Sequence, residues 1–220
     1  MPDKVLLVDD DRILLFRTQK QSAVFKDRFQ LLLAENGRQA VEKLEAETVA
    51  LVVTDLQMPV MDGFELLSFM SLNYPDIPVI IITAYGTLKS RRNVLQNGAV
   101  EFIEKPIEPE ALTRKIYANL DEIAEEDAFQ SVPLELFSYL IVSEKKTCTL
   151  RVVNRNTGMK GVLFFSRGVL MDARLGNRHG REAASEMYAW HRTKYTIQDL
   201  CAVAEKKIPG GLQDVLPDLR

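Results

Sequence analysis

The chain has 220 residues, of which 46% are hydrophobic and 27% charged, and a formal net charge of −3. That length and apolar share suit two small domains better than one. Two cysteines, Cys148 and Cys201, exclude a disulfide framework and a paired-cysteine metal site. No apolar run approaches the roughly 20 residues of a membrane-spanning helix. Met1-Pro2-Asp3-Lys4 leads into a predicted strand within a few residues, so the expectation is no secretion signal, no membrane insertion and a cytoplasmic location.

Val5-Leu6-Leu7-Val8 marks a predicted strand near 4–8, and a helix near 12–24 sets Ile13, Leu14, Phe16 and Val24 against Arg17, Lys20 and Lys26. A strand near 29–34 precedes a helix near 38–47, which opens after Asn36-Gly37 and puts Ala40, Val41 and Leu44 on one face. The run Ala50-Leu51-Val52-Val53-Thr54 is the third strand, 50–54, and it ends at Asp55; Asp62 or Gly63 opens the third helix. Val79-Ile80-Ile81-Ile82 lies in a strand near 78–82, followed by Thr83 and a fourth helix that Asn97-Gly98 closes. Phe102 and Ile103 lie in a strand near 100–103, then comes Lys105, and a fifth helix near 108–127 ends in an acidic run read as a solvated helix end.

The texture changes after Pro133. An amphipathic helix, Leu134 to Val142, leads to β-rich runs at 148–154 and 159–166 joined by the turn Arg155-Asn156-Thr157-Gly158, which predicts a hairpin. A turn at Arg167-Gly168, a run at 169–175, a helix near 181–191 and a strand near 194–199 complete an α+β meander without internal repeats. The tail from Lys206 reads as a turn before a short helix or a frayed end. Charge is asymmetric: residues 1–128 hold 14 Lys+Arg against 22 Asp+Glu, net −8, while 129–220 hold 14 against 9, net +5. The two halves could attract one another.

Short apolar runs bounded by turn signals and alternating with helical segments predict parallel strands buried on both faces. Such strands end on one edge, where open α/β sheets place their ligand site. Four strand ends would therefore bring three carboxylates (Asp9, Asp10 and Asp55), the Thr83 hydroxyl and the Lys105 ammonium to one place. Each has a bland alternative: Asp9, Asp10 and Asp11 as caps of the first helix, Thr83 as a cap of the fourth, Lys105 as a solvated turn residue. Asp11 is expected to be a cap. The joint placement of the others at strand ends favours one site.

The words Leu-Leu-Val-Asp9-Asp10-Asp11, Thr-Asp55-Leu-Gln-Met-Pro-Val-Met-Asp-Gly63, Ile-Thr83-Ala84 and Glu-Phe102-Ile-Glu-Lys105-Pro106 resemble the response-regulator receiver domain over about residues 3–123. The resemblance implies an α/β fold class: an N-terminal flavodoxin-like, doubly wound five-stranded parallel sheet with a second, smaller α+β domain. It implies that Asp55 accepts a phosphoryl group from a sensor histidine kinase or phosphotransfer protein, with no enzymatic role beyond slow self-dephosphorylation. Mg²⁺ would be held by Asp10, Asp55 and the backbone carbonyl of Gln57, with Asp9 acting through water. Lys105 would pair with Asp55 at rest and with a phosphoryl oxygen afterwards, and Thr83 and Phe102 would form the switch. Lys105-Pro106 is expected to be cis, and Tyr85 to shield the acyl phosphate from water. Crowding of the three carboxylates is expected to raise at least one pKa.

The domain reading is receiver 1–123, linker 124–132 and interaction module 133–220. Residues 131–200 are similar to a PATAN-type signalling module found joined to receivers in phototaxis and surface-motility regulators, carried by Lys146 to Val152, Gly161 to Phe165, Arg167 to Leu170 and Ala173 to Gly176. Cys148 stands at what is usually a glycine position there. His179 and His191 are too separated for a metal site or a triad. The implied output is a non-enzymatic contact with an unknown downstream protein. DNA binding by a transcriptional regulator is the alternative; Arg151, Arg155, Lys160, Arg167, Arg174, Arg178 and Arg181 are spread along strands and turns without a predicted helix-turn-helix, which sets nucleic acid behind a protein partner. For Lys89, Arg91 and Arg92 the choice stays open between a homodimer contact with Glu108 or Glu110 and solvated surface charge.

Overall fold

Five apolar runs pair in parallel: β1 (Asp3–Val8), β2 (Phe29–Ala34), β3 (Leu51–Asp55), β4 (Val79–Thr83) and β5 (Val100–Glu104), in the order β2-β1-β3-β4-β5. This is the flavodoxin-like doubly wound order, and its switch point lies between β1 and β3. The structure, a computed structural model, describes residues 2–83, 100–123 and 132–216. Tyr85, Lys89, Arg91, Arg92, the predicted fourth helix and the acidic residues from Glu125 to Asp127 lie outside the described residues. The chain divides into two units, the first holding the parallel sheet.

Helices α1 (Arg12–Ser22), α2 (Gly37–Ala46), α3 (Gly63–Asn73) and α4 (Pro109–Ile123) cover the sheet. Alternate strand residues point to opposite faces. Val5, Leu7, Leu51, Val53, Ile80, Ile82 and Ile103 thus form one core with Leu14 and Leu15 of α1 and Leu112, Ile116 and Leu120 of α4. The opposite-facing Leu6, Val8, Val52 and Ile81 are fully buried, as are Ala40 of α2 and Leu66 of α3. Val5 to Val8 of β1 and all of β3 and β4 are buried on both faces, which is why these strands read as near-unbroken apolar runs.

The phase of α1 differs from the expectation. Leu14, Leu15, Thr18 and Ser22 are its buried residues, whereas Ile13, Phe16 and Val24 are 68%, 55% and 79% exposed. Asp11 accepts from the Ile13 and Leu14 amides and starts the helix there. With 3.6 residues per turn, Leu14, Thr18 and Ser22 then share the inward stripe. Val24 falls in a 3₁₀ turn, Ala23–Phe25, beyond the end of the helix.

The second unit holds α5 (Leu134–Ser143), β6 (Cys148–Asn154), β7 (Lys160–Ser166), β8 (Val169–Leu175), the two-residue β9 (Arg178–His179), α6 (Gly180–Tyr188) and β10 (Thr193–Gln198). All neighbours are antiparallel in the order β10-β6-β7-β8-β9, so the last strand closes against the first. The predicted hairpin is present: Asn154 Oδ1 accepts from the Asn156 and Thr157 amides, and Gly158 takes φ +73°. At the next turn a Cβ on Gly168 would lie 2.6 Å from the Val142 carbonyl oxygen, and its φ is +76°, so only glycine fits there. Cys148 is the buried first residue of β6. A short 3₁₀ helix, Gly211–Asp214, ends the described tail.

One face of the second sheet packs on helices. Phe137 of α5 lies 4.4 Å, ring to ring, from Tyr195 of β10. The Tyr195 hydroxyl donates to the Val132 carbonyl at 2.8 Å, and Tyr188 of α6 donates to Ser138 of α5 at the same distance. Burial pushes both phenols well above the ordinary tyrosine range. The buried Asp172 accepts through Oδ1 from the Gly180 amide at 3.0 Å, which ties the start of α6 to β8.

Candidate functional site

Asp9 follows β1 directly and Asp55 is the last residue of β3, so the two sit side by side at the carboxyl ends of adjacent parallel strands. Together with Asp10 they offer carboxylate oxygens that all lie within 4.8 Å of one another. Asp9 is fully buried and Asp55 6% exposed, while Asp10 faces solvent. Two of the acids are thus deep and the third lies at the surface. The carboxylate Oδ1 of Asp9 accepts from the Asp11 amide at 2.9 Å, and Asp11 itself only caps α1.

Lys105 follows β5, and its Nζ lies 2.5 Å from Asp55 Oδ2 and 2.8 Å from Asp9 Oδ2. It is therefore not a solvated turn residue. The Lys105–Pro106 peptide is cis, and the Lys105 amide donates to the Thr83 carbonyl at 2.8 Å. Burial would lower the ammonium's pKa, but the bonds to Asp55 and Asp9 outweigh it and hold Lys105 above the ordinary lysine value. Burial also raises the Asp9 carboxyl, against the opposing pull of Lys105 and the Asp11 amide; repulsion from Asp55 is the smallest contribution. Desolvation rather than crowding is thus the chief cause of the raised acid.

Three details were not legible in the residue pattern. Asp55 Oδ1 accepts from the backbone amides of Leu56 at 2.6 Å and Gln57 at 3.2 Å, so the turn after β3 supplies two donors. The Gln57 side chain is exposed. Second, Asp9 Oδ2 is enclosed, and Lys105 Nζ at 2.8 Å is its charged partner. Third, Gly63 comes so close that a Cβ on it would lie 2.2 Å from the Asp55 carbonyl oxygen. The Asp62–Glu65 capping box starts α3 at that point, and the Gly63 amide donates to the Leu56 carbonyl at 3.0 Å. Asp62 and Gly63 shape the loop that follows Asp55.

Thr83 ends β4 and is 2% exposed. Phe102 lies in β5 opposite Ile81 and is half-buried. Asp9, Asp55 and Lys105 are brought into contact, Asp10 lies within 4.8 Å of the two other acids, and Thr83 stands at the same sheet edge. The donor set suits a hard divalent cation: three carboxylates, two buried and one exposed, form an all-oxygen site with an open side. No described helix is long and apolar enough to cross a membrane.

The family model described as Response regulator receiver domain matches residues 5–117. The Response regulator protein FleR of Pseudomonas aeruginosa is 35% identical over 112 residues, 51% of this chain and 23% of FleR. The Transcriptional regulatory protein GlrR of Escherichia coli is 34% identical over 127 residues, 58% of this chain and 27% of GlrR. A CheY-like response regulator receiver domain protein from Methanospirillum hungatei, known from its crystal structure, is 30% identical, with a TM-score of 0.47 over 57% of this chain and 98% of that one. The chain spans about a quarter of the length of these curated relatives.

Proposed function

Because the chain belongs to the response regulator receiver domain family, we propose that Asp55 is its phosphoacceptor and that the chain is a two-component response regulator whose second unit carries the output. The observation that supports this best is the Asp55 carboxylate, fixed through Oδ1 by two backbone amides and paired through Oδ2 with Lys105 at 2.5 Å. Oδ2 then attacks the phosphorus of a phosphohistidine on the donor protein. The new O–P bond forms as the P–N bond breaks, and the imidazole leaves with the bonding electron pair and is reprotonated from solvent. Lys105 turns from Asp55 to a phosphoryl oxygen, and the Thr83 hydroxyl donates to another.

Asp10, Asp55 and the Gln57 backbone carbonyl would hold Mg²⁺, with Asp9 behind them through water. When bound, the ion supplies positive charge opposite the phosphoryl oxygens. Movement of Thr83 toward the phosphoryl group makes room for Phe102, which is half-buried two residues before Glu104, the strand partner of Thr83. A nearly complete swing of such a switch needs a differential of about 5.5 kcal/mol. A dianion with ammonium and hydroxyl partners offers charge-assisted bonds of the strength required.

Residues 133–220 are read as a PATAN-type interaction module joined by a linker at 124–132. The helix, meander and closing-strand order supports that reading. It makes motility the cellular process to examine. Transcriptional control through DNA is the second reading, favoured by the name of GlrR. In the second unit, however, α5 and α6 are separated by four strands and form no helix-turn-helix among the described residues.

The test is intact mass after incubation with Mg²⁺ and acetyl phosphate. A phosphate-sized gain in the parent and none in Asp55→Asn is expected. A gain in both, or in neither, overturns the assignment.

A further inference from the structure

Among the described residues, one face of the second sheet carries no helix. Its pairing register carries a single row across all five strands: Thr196 of β10, Arg151 of β6, Val162 of β7, Arg174 of β8 and His179 of β9. Two residues along lies the row Lys194, Val153 and Lys160. Residues directly opposite in antiparallel pairs share a face. The alternate rows, such as Tyr195, Val152, Gly161 and Leu175, are buried. The row on the other side, Thr149 and Phe164, is buried as well, and Thr149 donates to the Leu200 carbonyl of the chain leaving β10.

What stays open is cationic. Arg151, Lys160, Arg174 and His179 are exposed and Lys194 half-exposed, and neither open row contains an Asp or Glu. Arg174 lies over the buried Phe164 ring at 5.0 Å and 3.6 Å from Asp172, so its stem is steadied while half of it meets water. Arg151, Lys160 and Lys194 have no acidic partner among the described residues. Each row has the same pattern, a valine between two cations: Arg151, Val162, Arg174 in one and Lys194, Val153, Lys160 in the other. Strands stand about 4.8 Å apart, so the cations of each row are about 10 Å apart with the valine midway.

We propose that this sheet face is the output surface and takes an acidic polypeptide segment whose apolar side chains seat on Val153 and Val162 while flanking carboxylates pair with Arg151, Arg174, Lys160 and Lys194. The inference rests on the reading of the second unit as the output. The apolar centre between cations selects this occupant. A single-stranded nucleic acid stacks its bases on exposed aromatic rings, and the rows above expose no Phe, Tyr or Trp: Phe164 is 5% exposed beneath Arg174 and Tyr195 1% exposed. A duplex groove admits a helix or a two-stranded ribbon rather than a five-stranded face.

The test uses the full chain and a labelled synthetic peptide in which glutamates flank leucines, followed by fluorescence anisotropy at low and high salt. Binding that salt weakens is expected. Arg151→Glu combined with Lys160→Glu should weaken it about tenfold or more, since two attractive exposed pairs become repulsive. Both positions are exposed, and circular dichroism of the variant checks its fold; Arg174→Gln is the milder second variant. Asp55→Asn should bind the peptide as the parent does while losing the phosphoryl mass gain, which separates this inference from the receiver chemistry. No peptide binding, binding indifferent to the charge reversals, or preferred uptake of a labelled oligonucleotide or of anionic phosphatidylglycerol vesicles overturns it.

Discussion

Replacing Gly63 by alanine should damage both stability and phosphoryl uptake, although Gly63 touches no phosphate. The added Cβ would lie 2.2 Å from the Asp55 carbonyl oxygen, 2.7 Å from the Leu56 Cα and 3.0 Å from the Asp55 carbonyl carbon. All three are backbone atoms, so no side chain can rotate away. Relief requires α3 to retreat from β3, which stretches the Gly63 amide bond to the Leu56 carbonyl, now 3.0 Å. Overpacking typically costs about 1–3 kcal/mol, and a lost buried hydrogen bond about 1 kcal/mol more, so about 3 kcal/mol is expected. With a urea slope near 2 kcal/mol/M, the unfolding midpoint drops by about 1.5 M. The same retreat moves the Leu56 and Gln57 amides off Asp55 Oδ1, so the rate of mass gain from acetyl phosphate should fall with it. A Gly63→Ala protein with the parent's urea midpoint and labelling rate would refute this account of how the loop holds Asp55.

Lys105→Met leaves two acids, Asp9 and Asp55, without their shared cation in a mostly buried place. Breaking a buried pair in this way costs about 3–5 kcal/mol. Melting scans should show that loss in chelator and its partial recovery with Mg²⁺; equal melting of variant and parent in chelator counts against the ion-pair account. Glu135 in α5 has a carboxyl raised by burial, with its own backbone amide and His191 pulling the other way. Its folded pKa exceeds the unfolded one, so the folded state binds more protons between them and stability falls as pH rises through that window. Glu135→Gln should match the parent in acid and exceed it at neutral pH in urea titrations, and a variant less stable at neutral pH would contradict the sign.

The parallel sheet and its acidic edge were legible because strands buried on both faces have few choices of residue. Val5 to Val8 and Val79 to Ile82 stand out as runs, and a charged residue directly after such a run has only the sheet edge to occupy. The α1 face was misjudged for the opposite reason. Ile13 to Phe16 fill one whole turn and only polar residues follow, so periodicity alone does not set which face of that helix is buried. The two amides on Asp55 escaped notice because backbone donors leave no mark on residue identity. Asp172 is eight residues from the Gly180 amide it accepts from, beyond any capping pattern. The basic residues of the second half looked scattered for want of a register. Only the pairing of Arg151 with Val162 and Val162 with Arg174 sets them in a row.

The closing of β10 on β6 has a bearing on synthesis. Asn154 meets Thr193 and Thr149 meets Gln198, so the first strand of that sheet waits on the ribosome for the last. A nascent chain stopped anywhere between them presents β6 with a bare backbone edge, a template for pairing with another chain. Ribosome pausing within that stretch, or a premature stop codon there, would therefore yield an aggregating fragment rather than a shortened working protein.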